Sequence, residues 1–270
     1  MKNIQFFNLK RFGKYAACSL ISNYRQTLLF WGAIWFAIFA FTLMNIANSH
    51  SFWNNDNWVP LFISVYCISG LLYTGFAFPA FRNKKRTYTE LMIPVTAFER
   101  LVYEFIEKIV AFIILFPPIF YLSSSMAVGI RNFLSFASFG TTHVEVNGIT
   151  TFPFEVISFD KLYANMEPGL FGMLFMLSVL GFVLAFAGAA SFRKLPLIKT
   201  IVFVGLIFLT GIGYMYMLLE KLDLHNPWLA NFEHNITAKQ GFAFGSLIFG
   251  LISLIALAYT YFKLKEKEAS

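Results

Sequence analysis

Six stretches of the chain are apolar from end to end: Leu28–Ala47, Val59–Phe81, Ile109–Val128, Gly169–Ser191, Thr200–Leu219 and Phe242–Phe262. Each runs about 20 residues, which at 1.5 Å per residue matches the ~30 Å hydrocarbon layer of a bilayer. None holds Asp, Glu, Lys, Arg or His in its interior. The pattern predicts an all-α polytopic membrane protein with six transmembrane helices in one domain, residues 26–270.

The segments between these runs carry a different rhythm. Over Ile4–Ser22, apolar Ile4, Phe6, Phe7, Leu9, Phe12, Tyr15, Leu20 and Ile21 alternate with Asn8, Lys10, Arg11 and Lys14. That suits an N-terminal helix, within residues 1–25, lying in the cytoplasmic interface with its bases toward lipid headgroups. Between spans two and three, Thr96 and Glu99 stand in capping-box spacing, just after a helix-discouraging Pro94. From there Phe98, Leu101, Val102, Phe105, Ile106 and Ile109 recur at helical spacing. The other face carries Glu99, Arg100, Tyr103, Glu104, Glu107 and Lys108, in which Arg100/Glu104 and Glu104/Lys108 stand four apart and can pair. A cytoplasmic amphipathic helix leading into the third span is therefore expected. Its polar face is either a solvated outer surface or a docking surface for a cytosolic partner.

Pro117-Pro118 is expected to kink the third span. The external loop 129–168 follows, with a small hairpin expected where residues alternate around Asn147-Gly148. Trp53 and Trp58 are expected at interface depth. Gly181, Ala185 and Ala189, and separately Gly241 and Gly245, are spaced for close helix approach within the chain or between copies.

Charge fixes the orientation. With six spans the two termini share a side. That side holds Lys2, Lys10, Arg11, Lys14, Arg25, Arg82, Lys84, Lys85, Arg86, Arg100, Lys108, Arg193, Lys194, Lys199, Lys263, Lys265 and Lys267. The other side holds only Arg131, Lys161, Lys221 and Lys239. Seventeen bases against four place both termini in the cytoplasm. The net charge of +7 is thus an orientation signature, and nucleic acid is not an expected partner.

Composition mainly excludes. The chain is 58% hydrophobic with 35 Phe among 270 residues, so little remains for a separate soluble domain. Cys18 and Cys67 fall on the cytoplasmic side and inside a span, so no structural disulfide is expected. The four histidines, His50, His143, His225 and His234, all lie in external segments. No Walker A sequence, H-E-x-x-H helix or intramembrane acid pair is present. The chain therefore reads as no enzyme, with no catalytic, cofactor-binding or metal-ligating residue. Any active transport must draw its energy from a partner.

The order of an interfacial helix, two spans, a cytoplasmic amphipathic helix and four more spans resembles the membrane subunit of ABC-2-type transporters. Phe7-Asn8-Leu9-Lys10-Arg11-Phe12-Gly13, Phe81-Arg82-Asn83-Lys84-Lys85-Arg86 and Leu91-Met92-Ile93-Pro94-Val95-Thr96-Ala97-Phe98-Glu99-Arg100 are similar to segments of small ABC-2-permease-like proteins of Bacteroidetes-type bacteria. The resemblance implies a permease subunit of an exporter in the bacterial inner membrane. It also implies a homodimer or heterodimer of permeases with cytosolic ABC ATPase subunits. The helix at 96–108 would then couple to the ATPase, through a surface of Arg82, Lys84, Lys85, Arg86, Thr96, Glu99, Arg100, Tyr103 and Glu104. The rival reading is a non-transporting scaffold or regulator whose basic loops bind a protein or anionic membrane lipid.

Overall fold

The computed structural model describes residues 7–48, 55–82, 87, 92–139, 144–146, 149–151, 168–192, 196, 198–206, 209 and 238–269. Its elements are α1 (Leu9–Asn48), α2 (Asn55–Gly75), a 3₁₀ turn (Pro79–Arg82), α3 (Ala97–Phe105), a π-helical turn (Ile106–Val110), α4 (Ala111–Phe139), β1 (Val144–Val146), β2 (Ile149–Thr151), α5 (Pro168–Ser191) and α6 (Ala238–Ala269). Residues 198–206 are also helical. Five helical stretches are long and apolar enough to cross a membrane: Leu9–Asn45, Trp58–Gly75, Ala97–Leu134, Gly169–Ser191 and Gln240–Lys267. The chain is a helical membrane protein. Most of the fifth expected span, Thr200–Leu219, lies outside the described residues.

Several expected boundaries move, each for a local reason. Among the described residues no separate interfacial helix precedes the first span, because α1 is one helix of 40 residues. That is about 60 Å of helix, twice the hydrocarbon thickness. Nothing in Ser22-Asn23-Tyr24-Arg25-Gln26-Thr27 breaks a helix, so the polar and apolar halves fuse. The second expected span ends early, since α2 stops at Gly75. Pro79 bars the right-handed helix to Phe78, which takes a left-handed φ of 54°. Such a conformation costs about 1–3 kcal/mol in a bulky residue. It is held because the Phe78 ring is buried, 4.8 Å from Phe186 and 6.4 Å from Phe81.

The loop expected from Gly129 also starts later, because α4 runs to Phe139 and passes through Pro117 and Pro118 without ending. Ile130, Phe133 and Leu134 continue the apolar pattern beyond Val128. The β1–β2 ladder is antiparallel with Val146 opposite Ile149, which leaves positions 147–148 as its two-residue connection.

The chain divides into two compact units. One comprises Leu9–Ser69 and Val110–Met166. Its core is an aromatic zipper between α2 and α4. Trp58, Phe62 and Tyr66 lie four apart on α2, and Phe112, Phe116 and Phe120 lie four apart on α4. Trp58 meets Phe120 at 6.3 Å, Phe62 meets Phe116 at 5.6 Å and Phe120 at 5.1 Å, and Tyr66 meets Phe112 at 5.5 Å. Trp58 is therefore a core residue, fully buried, and no interfacial anchor. On the α1 side Trp31 stacks on Phe112 at 5.8 Å, and buried Ser123 donates to the Trp35 carbonyl at 2.9 Å. With no water to compete, that interhelical bond helps hold α1 to α4.

The other unit comprises Met1–Asn8, Gly70–Ile109 and Glu167–Ser270. Here α5 and α6 lie side by side and run in the same direction. A Cβ at Gly169 would come within 3.2 Å of Phe242, and one at Gly245 within 3.2 Å of Met173. Gly181 faces Leu71, and Ala185 and Ala189 are buried. The small-residue stripe on α5 thus serves packing within the chain.

Gly188 has very little room. A Cβ there would collide with the Thr200 side chain, with Thr200 Cβ at 2.7 Å and Cγ2 at 2.8 Å. Thr200 is buried and its hydroxyl donates to the Pro196 carbonyl at 2.7 Å, so it has little freedom to yield. Gly188→Ala is expected to destabilise by about 1–3 kcal/mol through overpacking. Thermal melts in detergent should show it, and Gly188→Ala combined with Thr200→Gly should recover part of the loss beyond additivity. Additive losses would refute the contact.

Candidate functional site

The start of α3 gathers the residues that the sequence marks for coupling. Thr96 is its N-cap, with extended φ/ψ of −73°/154°. Its hydroxyl accepts the Glu99 N–H at 3.3 Å, while Glu99 Oε2 accepts the Thr96 N–H at 3.1 Å. The reciprocal capping box is complete, and two amides that a helix start leaves without an intrahelical partner are satisfied. The second carboxylate oxygen is also used. Glu99 Oε1 accepts the backbone N–H of Asn8 at 2.8 Å, from a residue 91 positions away that leads directly into α1. Glu99 is wholly buried.

Its neighbours on the same face are buried too. Arg100, Tyr103, Glu104 and Glu107 are 2%, 4%, 7% and 8% exposed. Arg100 Nη2 donates to the Ile93 carbonyl at 3.3 Å, and the Val95 N–H donates to that same carbonyl at 2.7 Å. The guanidinium thereby props the Met92–Val95 turn that precedes the helix. Lys108 pairs with Glu107 at 2.7 Å and lies 4.7 Å above the Tyr73 ring. Both residues belong to the π-helical turn.

The structure places five residues of the expected docking surface. Glu99, Arg100, Tyr103 and Glu104 point inward, and Thr96 is half-buried. An amphipathic pattern says only that two faces differ. Where lipid can take the apolar side, ionisable groups turn toward protein and pair there. Ile106, in the π-helical turn, is 47% exposed. Arg82 closes the 3₁₀ turn, but its side chain and residues Lys84, Lys85 and Arg86 lie outside the described residues.

What the unit does present is the turn itself. Met92 is 84% exposed, and Pro94 is exposed as well. Around it, Phe98 makes edge-to-face contacts with Phe7 at 6.2 Å and Tyr261 at 6.3 Å. Lys267 from the end of α6 donates to the Ala190 carbonyl at the end of α5 and lies 5.2 Å above the Phe81 ring. A cation at that carbonyl complements the helix C-terminus. The capping pair is visible in the sequence because its signature is local. Asn8, Tyr73 and Lys267 are not visible there as partners, since each meets its contact from a distant part of the chain.

Among the described residues no three His, Cys, Asp or Glu side chains converge as metal ligands. No protein-family model matches the chain, nor does any curated protein or any solved structure.

Proposed function

We propose that the chain is the membrane-spanning permease subunit of an ABC-2-type exporter. It would lie in a bacterial inner membrane with both termini cytoplasmic, and would pair with a second permease and cytosolic ATPase subunits. One observation carries this reading. The capped start of α3 continues through the π turn into one membrane-length helical stretch, Ala97–Leu134. A push at its capped end would be delivered along a single helix into the bilayer, which is what transport powered from the cytosol requires.

The buried polar face changes how the push would be received. Glu99 and Arg100 would position the end of the helix, and the exposed Met92–Pro94 turn would meet the ATPase. Met92→Asp should then reduce the P-loop ATPase captured with the tagged chain from native membranes about tenfold, worth ~1.4 kcal/mol. Met92→Leu should leave capture unchanged. Wild-type capture by Met92→Asp would remove the turn from the interface.

The scaffold reading has an observation of its own: the charged side chains of α3 are engaged inside the protein and are not offered to a motor. Purification in lipid nanodiscs without any ATPase would favour it.

A further inference from the structure

The Asn8–Glu99 contact does more than complete a cap. Glu99 already closes on Thr96 within its own helix, so the capping box needs nothing from residue 8. Yet the carboxylate is fully buried, and the segment holding its other oxygen comes from the far end of the sequence. Among its contacts with the start of α3 are the Asn8 N–H on Glu99 Oε1 at 2.8 Å and the Phe7 ring edge-on to Phe98 at 6.2 Å. Both fall on adjacent residues of the first helical turn. Phe7 is itself 38% exposed, so one side of the clasp faces outward. A fully buried charge held by a short, half-exposed segment is arranged to open before the rest of the fold does.

We propose that Phe7–Asn8 is a latch on the first turn of α3. Closed, it covers Phe98 and occupies the second oxygen of Glu99. Open, it uncovers an apolar ring and a carboxylate at a helix N-terminus that keeps its own cap through Thr96. The latch would regulate access to the end of the helix assigned above to coupling, and in that respect it rests on the permease reading.

Hydrogen exchange of the full chain in nanodiscs tests it. Asn8→Pro removes the donor N–H and leaves Glu99 in place. Amides 97–101 should then exchange about tenfold faster or more, because a bond to a charged acceptor is lost and the turn is uncovered. Amides in the α4 zipper should not change. Phe7→Ala, which keeps the Asn8 N–H, should shift 97–101 in the same direction by less. Unchanged exchange at 97–101 in both variants would overturn the latch. If Asn8→Pro loosens the α4 amides as well, it has unfolded the protein, and Phe7→Ala decides alone. Capture of P-loop ATPase from native membranes is scored in parallel. More ATPase on the opened variants supports regulation by the latch, and unchanged capture overturns that regulation. No ATPase on any variant, wild type included, overturns the permease reading, and exchange then decides the latch by itself.

Discussion

Replacing Glu99 with alanine is expected to destabilise the protein by about 2–6 kcal/mol, because two backbone N–H groups in a buried site lose their acceptor and each costs about 1–3 kcal/mol. The two are those of Thr96 and Asn8. At roughly 2–4 °C per kcal/mol for a chain of this size, the thermal midpoint should fall by about 4–24 °C. Glu99→Gln should fall between alanine and wild type. Its amide keeps one acceptor oxygen and turns an NH₂ toward the other donor. A coupling charge on an open surface would behave differently: its removal would leave the midpoint within about 0.5 kcal/mol of wild type and affect only ATPase stimulation. A melt of Glu99→Ala that overlays wild type would therefore favour an open docking surface at Glu99. The same logic applies to charge reversal at Arg100 or Glu104. Both sit in the buried face, so a folding defect is expected to precede any loss of coupling.

Local signals in the sequence proved readable, and tertiary ones did not. The apolar runs carry the spans because a bilayer sets their length, and five of the helices match that requirement. The Thr96/Glu99 box is legible because its atoms are three residues apart. The fate of the polar face of α3 is not, since periodicity cannot say whether lipid, water or protein covers each side. Hydropathy also hides the end of α2: Gly75-Phe76-Ala77-Phe78 is as apolar as a span, and only Pro79 hints that the helix has stopped. The fusion of the basic N-terminal stretch with the first span depends on the absence of a breaker. An absence leaves no mark in a pattern of apolar and basic positions.

The aromatic zipper was equally hidden, although 35 Phe were in plain view. Phe112, Phe116 and Phe120 face protein, while Phe133 on the same helix is 69% exposed. Both kinds sit in apolar sequence. Phe116→Ala is expected to cost about 3 kcal/mol, at the lower end of the range for truncating a buried Phe. Lipid tails are as apolar as the core, so the transfer part of the loss is small and packing carries the rest. The Phe116 ring packs against those of Phe62 at 5.6 Å, Tyr66 at 5.3 Å, Phe112 at 5.3 Å and Phe120 at 6.0 Å, and alanine reaches none of them. Phe133→Ala, facing outward, should change stability by less than about 0.5 kcal/mol. Melts of the two variants in the same nanodiscs measure the difference directly. If both lose equally, the zipper face is no more packed than the lipid face, and the assembly of α2 against α4 is wrong. If only Phe116→Ala falls, this aromatic-rich helix is held by one interlocked row, and its other rings act as solvent-matching surface for the bilayer.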